Sequence, residues 1–410
     1  MVKVAVIGGG AAGFMAAVSA IEKSCGNISI EIFEKDEPLK KILCTGGGRC
    51  NITNATFDCK KLASNYPRGE KFLYSVFTRF SVQETIGWFS SHGIELYSQD
   101  DGRMFPRSDD ANTIRDMFLN RAKKLGINVR SNSPVSKIEH KQDKFLIHVD
   151  ENIYTFDKII ISTGGKLKDR NSSGYMLAKS LGHRIIELKP ALTAFVTNEK
   201  WVTALAGVTV KDVEISAIFK NKQVIKDRGD LLFTHRGISG PIILKISSYC
   251  AFLDFNEAEP LLLKINFIPD KTTEKLEKEL LKIFDKNVKK NLGNILSDYL
   301  PKSVVLVILG TENIDPEKKP SQITKTERKQ ILQSLKALIL TVKSPVKGEA
   351  MVTAGGVSLD EVNPKTMESK LIKNVYFCGE VLNIDGLTGG FNLQAAWSTG
   401  HIAGINAVAE

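Results

Sequence analysis

The chain has 410 residues, which exceeds one typical core and predicts two to three domains. It is 42% hydrophobic and 25% charged, as globular proteins are, and no apolar run reaches the roughly 18 residues that span a bilayer, so we expect a soluble, cytoplasmic chain without a membrane partner. The net charge is +10, but lysines alternate with acids along most of the chain, so a solvated surface is favoured over a nucleic-acid partner, which stays open.

The first elements read as a strand, a glycine turn, a helix and a second strand. Residues 2–7 (VKVAVI) form the nearly continuous apolar run of a buried parallel strand. The next six residues, GGGAAG, match G-x-G-x-x-G. Gly8 permits the tight turn, Gly10 lets the backbone approach a pyrophosphate, and Gly13 lets the helix pack closely on the strand. The second strand closes on Glu34, and this order predicts a dinucleotide-binding unit.

Two parts of this unit predict how a dinucleotide would bind. The helix N-terminus offers free N–H groups and the positive end of the helix dipole to phosphates. Glu34 can accept hydrogen bonds from the 2′- and 3′-hydroxyls of a ribose, and its charge disfavours the 2′-phosphate of NADP. The turn alone does not separate FAD from NAD.

A second glycine run follows in residues 40–54, KKILCTGGGRCNITN. Gly46–Gly48 would let backbone N–H groups approach a flat or anionic ligand, and Arg49 would supply a cation for phosphate. The alternative is a flexible loop, which would not need Arg-Cys-Asn in so tight a frame.

Two later strands also end in glycines. The run KIIISTGG places Thr163, Gly164 and Gly165 after an apolar strand, where the backbone would lie near the adenine side of a nucleotide. Residues 375–378 form a strand that ends in Gly379-Glu380, and a glycine-rich turn leads into a helix that begins near residue 392. This last arrangement is typical of flavoproteins, in which the helix N-terminus faces the edge of the flavin that gains charge on reduction. These segments favour FAD.

The middle of the chain has a different texture. After Lys189-Pro190, short β-type runs separated by turns predict a small antiparallel sheet or barrel, and four-residue apolar steps over 272–300 predict helices. The predicted fold is therefore α/β, with a Rossmann-type FAD-binding domain split by an insert. Its predicted bounds are 1–189 and 344–410 for the FAD-binding domain, 190–270 for a β domain and 271–343 for a helical subdomain.

Five motifs together resemble one bacterial family: GGGAAG, TGGGRCNITN, LLFTHRGISGP, VTAGGVSLDEVNP and FCGEVLNIDGLTGGFNLQAAWSTG. This is the NAD(P)/FAD-dependent oxidoreductase family, also called the aminoacetone oxidase family of FAD-binding enzymes, and the resemblance covers essentially the whole chain. It implies a fold like that of glutathione reductase, with a large insert, and FAD as the cofactor. One departure is the basic stretch Lys166–Ser173, where the family tends to carry a proline-containing turn.

The resemblance also implies contacts with FAD, position by position. The pyrophosphate would meet the first turn, the adenosine would lie at Glu34, Lys35 and Val135, and Arg49, Cys50 and Asn51 would follow the dinucleotide toward the flavin. The C-terminal segment would hold the ribityl chain and the ring. The candidate cofactor-binding residues, without any metal ligand, are Gly8, Gly10, Ala11, Ala12, Gly13, Glu34, Lys35, Lys41, Gly47, Gly48, Arg49, Cys50, Asn51, Val135, Thr163, Gly164, Gly165, Gly379, Glu380, Asp385, Asn392 and Leu393.

The sequence identifies no catalytic residue. Cys44 and Cys50 are six positions apart, unlike a close redox pair, and the six cysteines have no CxxC or zinc-like spacing, which is typical of a reducing compartment. His235 and Arg236 end a strand and could border a pocket. Asp385 could shape an active site or fix a turn.

Arg103, in the turn DGRMFP, is a weaker candidate for binding an anionic substrate. A mid-chain GxGxxG for a nicotinamide is missing. Two alternatives stay open: either NAD(P)H binds transiently, in an unconventional place, as an electron donor, or the flavin is reoxidised by NAD(P)+, oxygen or another acceptor.

The leading hypothesis is an FAD-dependent oxidoreductase that acts on a small organic substrate of the amine, ketone or enone type. One alternative is an FAD-dependent tRNA-modifying enzyme, which the basic charge would suit and the lack of an aromatic stacking stripe argues against. The other is a non-catalytic flavin-binding regulatory protein.

Overall fold

The computed structural model describes residues 1–24, 26–165 and 173–409. Contacts between residues divide the chain into two compact units. Unit 1 comprises Met1–Lys189 and Val352–Glu410, and unit 2 comprises Pro190–Met351. None of the helices in the described ranges combines the length and apolarity that a membrane crossing requires.

The strands of the described residues are numbered in chain order. They are β1 (Val2–Ile7), β2 (Ile28–Phe33), β3 (Thr53–Asn54), β4 (Leu96–Ser98), β5 (Arg103–Pro106), β6 (Asn128–Arg130), β7 (Val135–Lys141), β8 (Lys144–Val149), β9 (Asn152–Phe156), β10 (Lys158–Ile161), β11 (Ile185–Ala191), β12 (Phe195–Thr197), β13 (Thr209–Phe219), β14 (Lys222–Thr234), β15 (Gly237–Ser239), β16 (Leu261–Asn266), β17 (Leu338–Pro345), β18 (Val352–Val357) and β19 (Val375–Phe377).

The α-helices are numbered in the same way, and short 3-10 turns complete the regular structure. The α-helices are α1 (Ala11–Lys23), α2 (Lys40–Leu43), α3 (Cys59–Ala63), α4 (Glu70–Phe77), α5 (Val82–Ser91), α6 (Ala111–Lys124), α7 (Ser173–Ser180), α8 (Pro241–Tyr249), α9 (Thr273–Lys286), α10 (Leu292–Leu296), α11 (Lys302–Thr311), α12 (Lys325–Ala337) and α13 (Phe391–Ala407). The 3-10 turns are Thr45–Gly47, Lys200–Leu205, Pro320–Gln322, Leu359–Glu361 and Gly379–Val381.

A five-stranded parallel sheet in the order β19-β10-β1-β2-β6 is the centre of unit 1. The last residues of its strands are in register, since Ile7 lies opposite both Phe33 and Ile161, and Ile161 lies opposite Phe377. The apolar run of β1 is buried in this sheet from Val4 onward, as the sequence predicts. The Rossmann-type fold is thus confirmed, and the carboxyl ends of the strands meet at one edge.

Helices α1 and α13 pack side by side in the same direction in unit 1. A Cβ built on Gly400 would lie 2.5 Å from the Ala12 carbonyl oxygen, and one built on Gly404 would lie 2.1 Å from that of Ala16. The two glycines therefore allow a backbone approach that a larger residue would prevent. Because Gly400 lies beside Ala12, the N-terminus of α13 at Phe391 extends nine residues, about 13 Å of helix, past that point of α1.

Smaller sheets complete unit 1. β3, β5 and β4 form one antiparallel sheet, β7, β8 and β9 form a second, and β11 pairs with β18.

Unit 2 is a closed barrel with helices packed on it. The strand order is β12-β15-β14-β13-β16-β17, which confirms the predicted small barrel. One hydrophobic cluster joins barrel residues such as Ile215 and Leu263 to helical residues such as Leu280 and Leu309. The helices therefore share the barrel's core. The predicted return boundary near residue 343 differs from the observed one at Met351, because β17 is the strand that closes the barrel.

Candidate cofactor-binding site

Four strands of the parallel sheet deliver candidate residues to its carboxyl edge. Gly8 follows β1, Glu34 follows β2, Thr163 follows β10 shortly after its end, and Gly379 follows β19. In open sheets of this kind, ligands bind outside the carboxyl ends of the strands. The fold thus brings together segments that are up to 371 positions apart in the sequence.

The glycines of the first turn have different surroundings: two are closely packed, and one faces open space. Gly8 has a φ of +107°, and a Cβ there would lie 2.6 Å from the Ser162 carbonyl oxygen. A Cβ on Gly13 would lie 2.0 Å from the Gly8 oxygen, so the first and third glycines are required by the protein itself. A Cβ on Gly10 would meet no atom within 4 Å. Gly10 therefore borders open space, from which a pyrophosphate could approach the backbone.

The start of α1 faces this space with uncapped backbone groups. Gly10 is the N-cap, and no side chain caps the helix. The first N–H of the helix ladder is that of Phe14, which donates to the Gly10 oxygen at 3.0 Å. The N–H groups of Ala11, Ala12 and Gly13 therefore lack carbonyl partners within the helix and suit an anion.

Glu34 lies beside the turn with its carboxylate fixed. It accepts hydrogen bonds from the Gly9 N–H at 2.6 Å and from the Asp36 N–H at 3.0 Å. Each carboxylate oxygen keeps a further lone pair, which a ribose hydroxyl could use. The neighbouring Lys35 is exposed.

The segment that leads into Val135 lies beside Glu34 in space. The N–H of Ser133, two residues earlier, donates to the Glu34 carbonyl at 2.8 Å. Val135 itself is buried at the start of β7, where it pairs with Val149. The structure therefore brings the predicted adenine and ribose residues into one neighbourhood.

The second glycine run forms an irregular turn. Gly47 and Gly48 have φ values of +69° and +87°, and a Cβ on either would meet no atom within 4 Å. The Arg49 guanidinium stacks on Phe105, 4.1 Å from the ring centroid, and its Nε donates to the Gly46 carbonyl at 3.2 Å. In this arrangement the cation is held by a ring that sequence reasoning did not identify.

Cys50 follows in a left-handed conformation with a φ of +61° and is fully buried. Burial raises the pKa of its thiol to about 12, so the thiol stays protonated at neutral pH. Cys44, in contrast, is exposed, and both cysteines are free. The expectation that the two do not form a redox pair stays a prediction, which labelling of the thiols can test.

The residues after Cys50 form hydrogen bonds to the glycine-rich turn of residues 385–390, which precedes α13 and is called the C-terminal turn below. With its amide oriented to satisfy every polar atom, Asn51 accepts a hydrogen bond from the Gly390 N–H at 3.0 Å. The Thr53 hydroxyl donates to Gln394 at 2.5 Å, and Asn54 donates to the Gly389 carbonyl at 3.1 Å. These contacts join the second glycine run to the N-terminus of α13.

Glu380 is a second junction between distant segments. It forms a salt bridge of 2.5 Å with Lys41 and accepts a hydrogen bond from the Thr353 N–H at 2.9 Å. A Cβ on Gly165 would lie 2.2 Å from the Glu380 carboxylate, so Gly165 is needed for close packing. Thr163, next to Gly164 in this turn, has a buried hydroxyl that lies against Gly174 of α7 and has no hydrogen-bond partner among the described residues.

The C-terminal turn is fixed by its own side chains. Asn392 accepts from the Gly386 N–H at 2.8 Å and donates to the Gly386 carbonyl at 2.8 Å, so its amide shapes the turn. Leu393 is half-buried in the first turn of α13. As at α1, no side chain caps this helix.

Asp385, in the same turn, is paired with Arg68 through both carboxylate oxygens. The Asp385 side chain is completely buried, and 15% of the Arg68 side chain is exposed. Burial raises the pKa of Asp385, and the guanidinium beside it opposes that shift. Sequence reasoning found Asp385 but missed Arg68, which lies 317 positions away without a recognisable motif.

The remaining candidates form surface contacts of their own or lie outside the described residues. His235 and Arg236 are exposed in unit 2, where Arg236 pairs with Glu349 at 2.8 Å. Arg103 pairs with Asp101 at 2.7 Å at the surface. The basic stretch that departs from the family pattern, from Lys166 to Ser172, lies outside the described residues.

The described residues fit an extended dinucleotide that carries a flavin. An open cradle at Gly10 and the uncapped start of α1 suit the pyrophosphate, and the uncapped start of α13 lies about 13 Å of helix farther along. The acid at Glu34 suits a ribose at the other end. The arrangement is thus compatible with FAD, and its individual contacts stay predictions.

Comparisons with known proteins agree with this geometry. A family profile described as "HI0933-like protein Rossmann domain" matches residues 2–406. The 3-dehydro-bile acid delta(4,6)-reductase of Clostridium scindens is 30% identical over 409 residues, which cover 98% of each chain. The ribosomal RNA dihydrouridine synthase of Escherichia coli is 32% identical over 413 residues, covering 96% of this chain and 95% of that protein.

A protein with the same name from Haemophilus influenzae is 29% identical over 417 residues, covering 98% of this chain and 97% of its own. Among solved structures, the 3-ketosteroid delta1-dehydrogenase of Sterolibacterium denitrificans has a TM-score of 0.51 at 11% identity, with both chains covered completely, which is a likeness of fold alone.

Proposed function

Because the chain belongs to the HI0933-like family of FAD-dependent oxidoreductases, we propose that it reduces a carbon–carbon double bond conjugated to a carbonyl group, with uridine in ribosomal RNA as its substrate. The conjugated double bond corresponds to the enone type among the expected substrates, whereas an RNA substrate departs from the expected small molecule and is nearer to the alternative of a tRNA-modifying enzyme. The proposal sets aside the alternative of a non-catalytic flavin-binding protein.

The chemistry shared by the relatives carries this proposal. A dihydrouridine synthase saturates the C5–C6 double bond of uracil, which is conjugated to the C4 carbonyl. A delta(4,6)-reductase acting on a 3-dehydro compound saturates double bonds conjugated to the C3 carbonyl. The two relatives, each about 30% identical to this chain, thus act on different substrates by the same type of reaction, the reduction of a conjugated double bond.

The reaction balances as a hydride and a proton added to one double bond. The hydride goes to the electron-poor carbon β to the carbonyl, which is C6 of uracil, and the proton goes to the α carbon, C5. FAD, when bound and reduced, supplies the hydride, and NAD(P)H is the proposed source of its two electrons. The uridine is reduced, and the nicotinamide is oxidised.

The protein's own contribution would be to bind and orient. The start of α1 would hold the pyrophosphate, and Glu34 would hold the ribose. The uncapped start of α13 would place its positive dipole end at the pyrimidine edge of the flavin, where negative charge favours N–H donors. Asn392 and the Arg68–Asp385 pair would keep this turn rigid.

Charge favours RNA over a small steroid as the substrate. The chain carries a net charge of +10, and unit 2 contains 25 lysines and arginines against 19 acids. A polyanion gains affinity from such a distributed charge, whereas one small carboxylate needs only a local cation. A 3-oxo-steroid with a conjugated double bond remains the second candidate, on the strength of the bile acid reductase.

The test is an anaerobic assay of the purified yellow protein. The flavin is first bleached with NADH or NADPH and then mixed with transcribed ribosomal RNA or with a conjugated 3-oxo-steroid. We expect RNA to restore the oxidised flavin spectrum, and nucleosides from the digested RNA to include one with the mass gain of two hydrogen atoms. A flavin that RNA does not reoxidise, with no dihydrouridine in the digest, would falsify the proposal.

A further inference from the structure

Four exposed lysines lie on one side of α9 in unit 2: Lys275, Lys278, Lys282 and Lys286. We refer to these residues as the α9 lysine face. Their spacing of three, four and four residues places them within roughly a quarter of the helix circumference, at about 100° per residue. They extend over 11 residues, or about 16 Å of helix.

The opposite side of α9 fixes the direction of this face. Leu276 and Leu280 are completely buried, and Phe284 is 6% exposed, all in the hydrophobic cluster of unit 2. These three apolar side chains recur every four residues and anchor the helix to the core. The lysine face is therefore held toward solvent by packing.

The acids of α9 neutralise the lysine face only in part. Glu277 pairs with Arg328 at 3.2 Å. Glu279 pairs with Lys271 at 2.7 Å and accepts a hydrogen bond from Tyr299 at 2.6 Å. Within the described residues, no acid forms a salt bridge with any of the four lysines. Two exposed acids border the face, Asp285 and Glu274, which lies four residues before Lys278, and together they offset at most two of the four charges.

We propose that the α9 lysine face, continued by the exposed Lys289 and Lys290, binds the phosphate backbone of the RNA substrate. This inference rests on the proposed function. A row of unpaired ammonium groups matches a polymer that carries closely spaced phosphates, and each neutralised phosphate releases counterions. An anionic membrane is less suitable, because a helix that binds at a lipid surface inserts its apolar side, and that side of α9 is buried in the protein core.

The test compares two full-length variants with equal loss of charge. The first replaces the face: Lys275→Gln, Lys278→Gln, Lys282→Gln and Lys286→Gln, which keep similar helix propensity. The control replaces four exposed lysines of other helices: Lys60→Gln, Lys71→Gln, Lys123→Gln and Lys124→Gln. Binding of transcribed ribosomal RNA is measured by fluorescence anisotropy over a series of salt concentrations, and thermal unfolding with the flavin spectrum checks that both variants are folded.

We expect the face variant to flatten the plot of log affinity against log salt by about 3 units, since each phosphate contact contributes roughly 0.7–0.9. The control should change that slope by less than about one unit. Equal slopes in the two variants would overturn the inference, as would a face variant that loses binding to phosphatidylserine vesicles while keeping RNA binding.

The proposed function has its own readout in the same samples. Dihydrouridine formed by the unmodified protein, together with equal slopes for the variants, removes the inference and leaves the function intact. A flattened slope without dihydrouridine removes the function and keeps the face as an RNA-binding surface.

Discussion

Gly400 of α13 lies against Ala12 of α1 so closely that a Cβ on Gly400 would stand 2.5 Å from the Ala12 carbonyl oxygen. This contact sets how far the start of α13 extends beyond the start of α1. The packing of Gly400 on Ala12 therefore sets the distance between the two uncapped helix N-termini.

Replacing Gly400 with alanine should destabilise the protein, although alanine is the better helix former. The added methyl group meets backbone, which cannot move aside as a side chain can, so we expect a loss of about 1–3 kcal/mol in the free energy of unfolding. The control is Gly87→Ala in α5, where a Cβ meets no atom within 4 Å and should stabilise by about 0.5–1 kcal/mol. Urea unfolding followed by circular dichroism measures both, and a stabilised Gly400→Ala would contradict the close contact.

Replacing Gly10 with alanine should weaken FAD binding without harming the apoprotein. The backbone of Gly10 is in an extended conformation that alanine tolerates, and the new methyl group would occupy only the space assigned to the pyrophosphate. We expect FAD affinity to fall by roughly tenfold or more, which is about 1.4 kcal/mol per factor of ten. Titration of the apoprotein with FAD checks this. An unchanged affinity, with Gly87→Ala as the reference, would place the pyrophosphate elsewhere.

His401 should make the protein less stable as the pH falls. Burial lowers the pKa of its imidazole to about 4, below the ordinary value of 6.5. The unfolded chain therefore takes up a proton below about pH 6.5 that the folded chain refuses, so this contribution to stability is complete above 6.5 and declines toward pH 4, by at most about 3 kcal/mol.

The variant His401→Phe should flatten the dependence of the unfolding free energy on pH between these limits, because phenylalanine has no group that takes up a proton. Its ring can keep the stacking with Phe80. It also loses the contact between Nδ1 and Ser19 at 2.9 Å, which lowers stability at every pH. His140→Phe, at an exposed position, is the matched control. Parallel curves for His401→Phe and the unmodified protein would show that another group causes the acid sensitivity.

Cys50 should resist alkylation in the folded protein. Its thiol is fully buried and its pKa is raised to about 12, so little thiolate exists at pH 8, whereas Cys44 is exposed. Iodoacetamide should therefore label Cys44 in the native state and both cysteines after denaturation, as peptide mass spectrometry can measure. Rapid labelling of Cys50 in the native protein would reopen the redox-pair interpretation.

The sequence by itself predicted the main domain and its cofactor. The glycine turn at Gly8–Gly13, the acid at Glu34 and the later glycine runs have fixed spacings, and the resemblance they support is confirmed by the family match. These features are readable because they depend on local backbone geometry: a turn needs glycine wherever it occurs.

Contacts between distant segments were not readable in the same way. Arg68 pairs with Asp385 across 317 positions, and Arg49 stacks on Phe105 although its charge predicted a phosphate. The Asn392 amide is used within its own turn. In each case the packing of strands and loops determines the partner, and no periodic pattern in the sequence predicts it.

The charged residues of α9 show most clearly the difference between what the sequence determines and what only the tertiary structure determines. In the sequence KTTEKLEKELLKIFDKNVKK, lysines alternate with acids, which favoured a solvated surface. The sequence determined the helix, through Leu276, Leu280 and Phe284 at four-residue steps. Only the tertiary structure decided what that helix presents: its apolar side packs into the core, Arg328 and Lys271 pair with Glu277 and Glu279, and the lysines remain together facing solvent. Lysines and acids that alternate along the sequence can thus lie on different sides of a helix, because successive residues are about 100° apart around its axis.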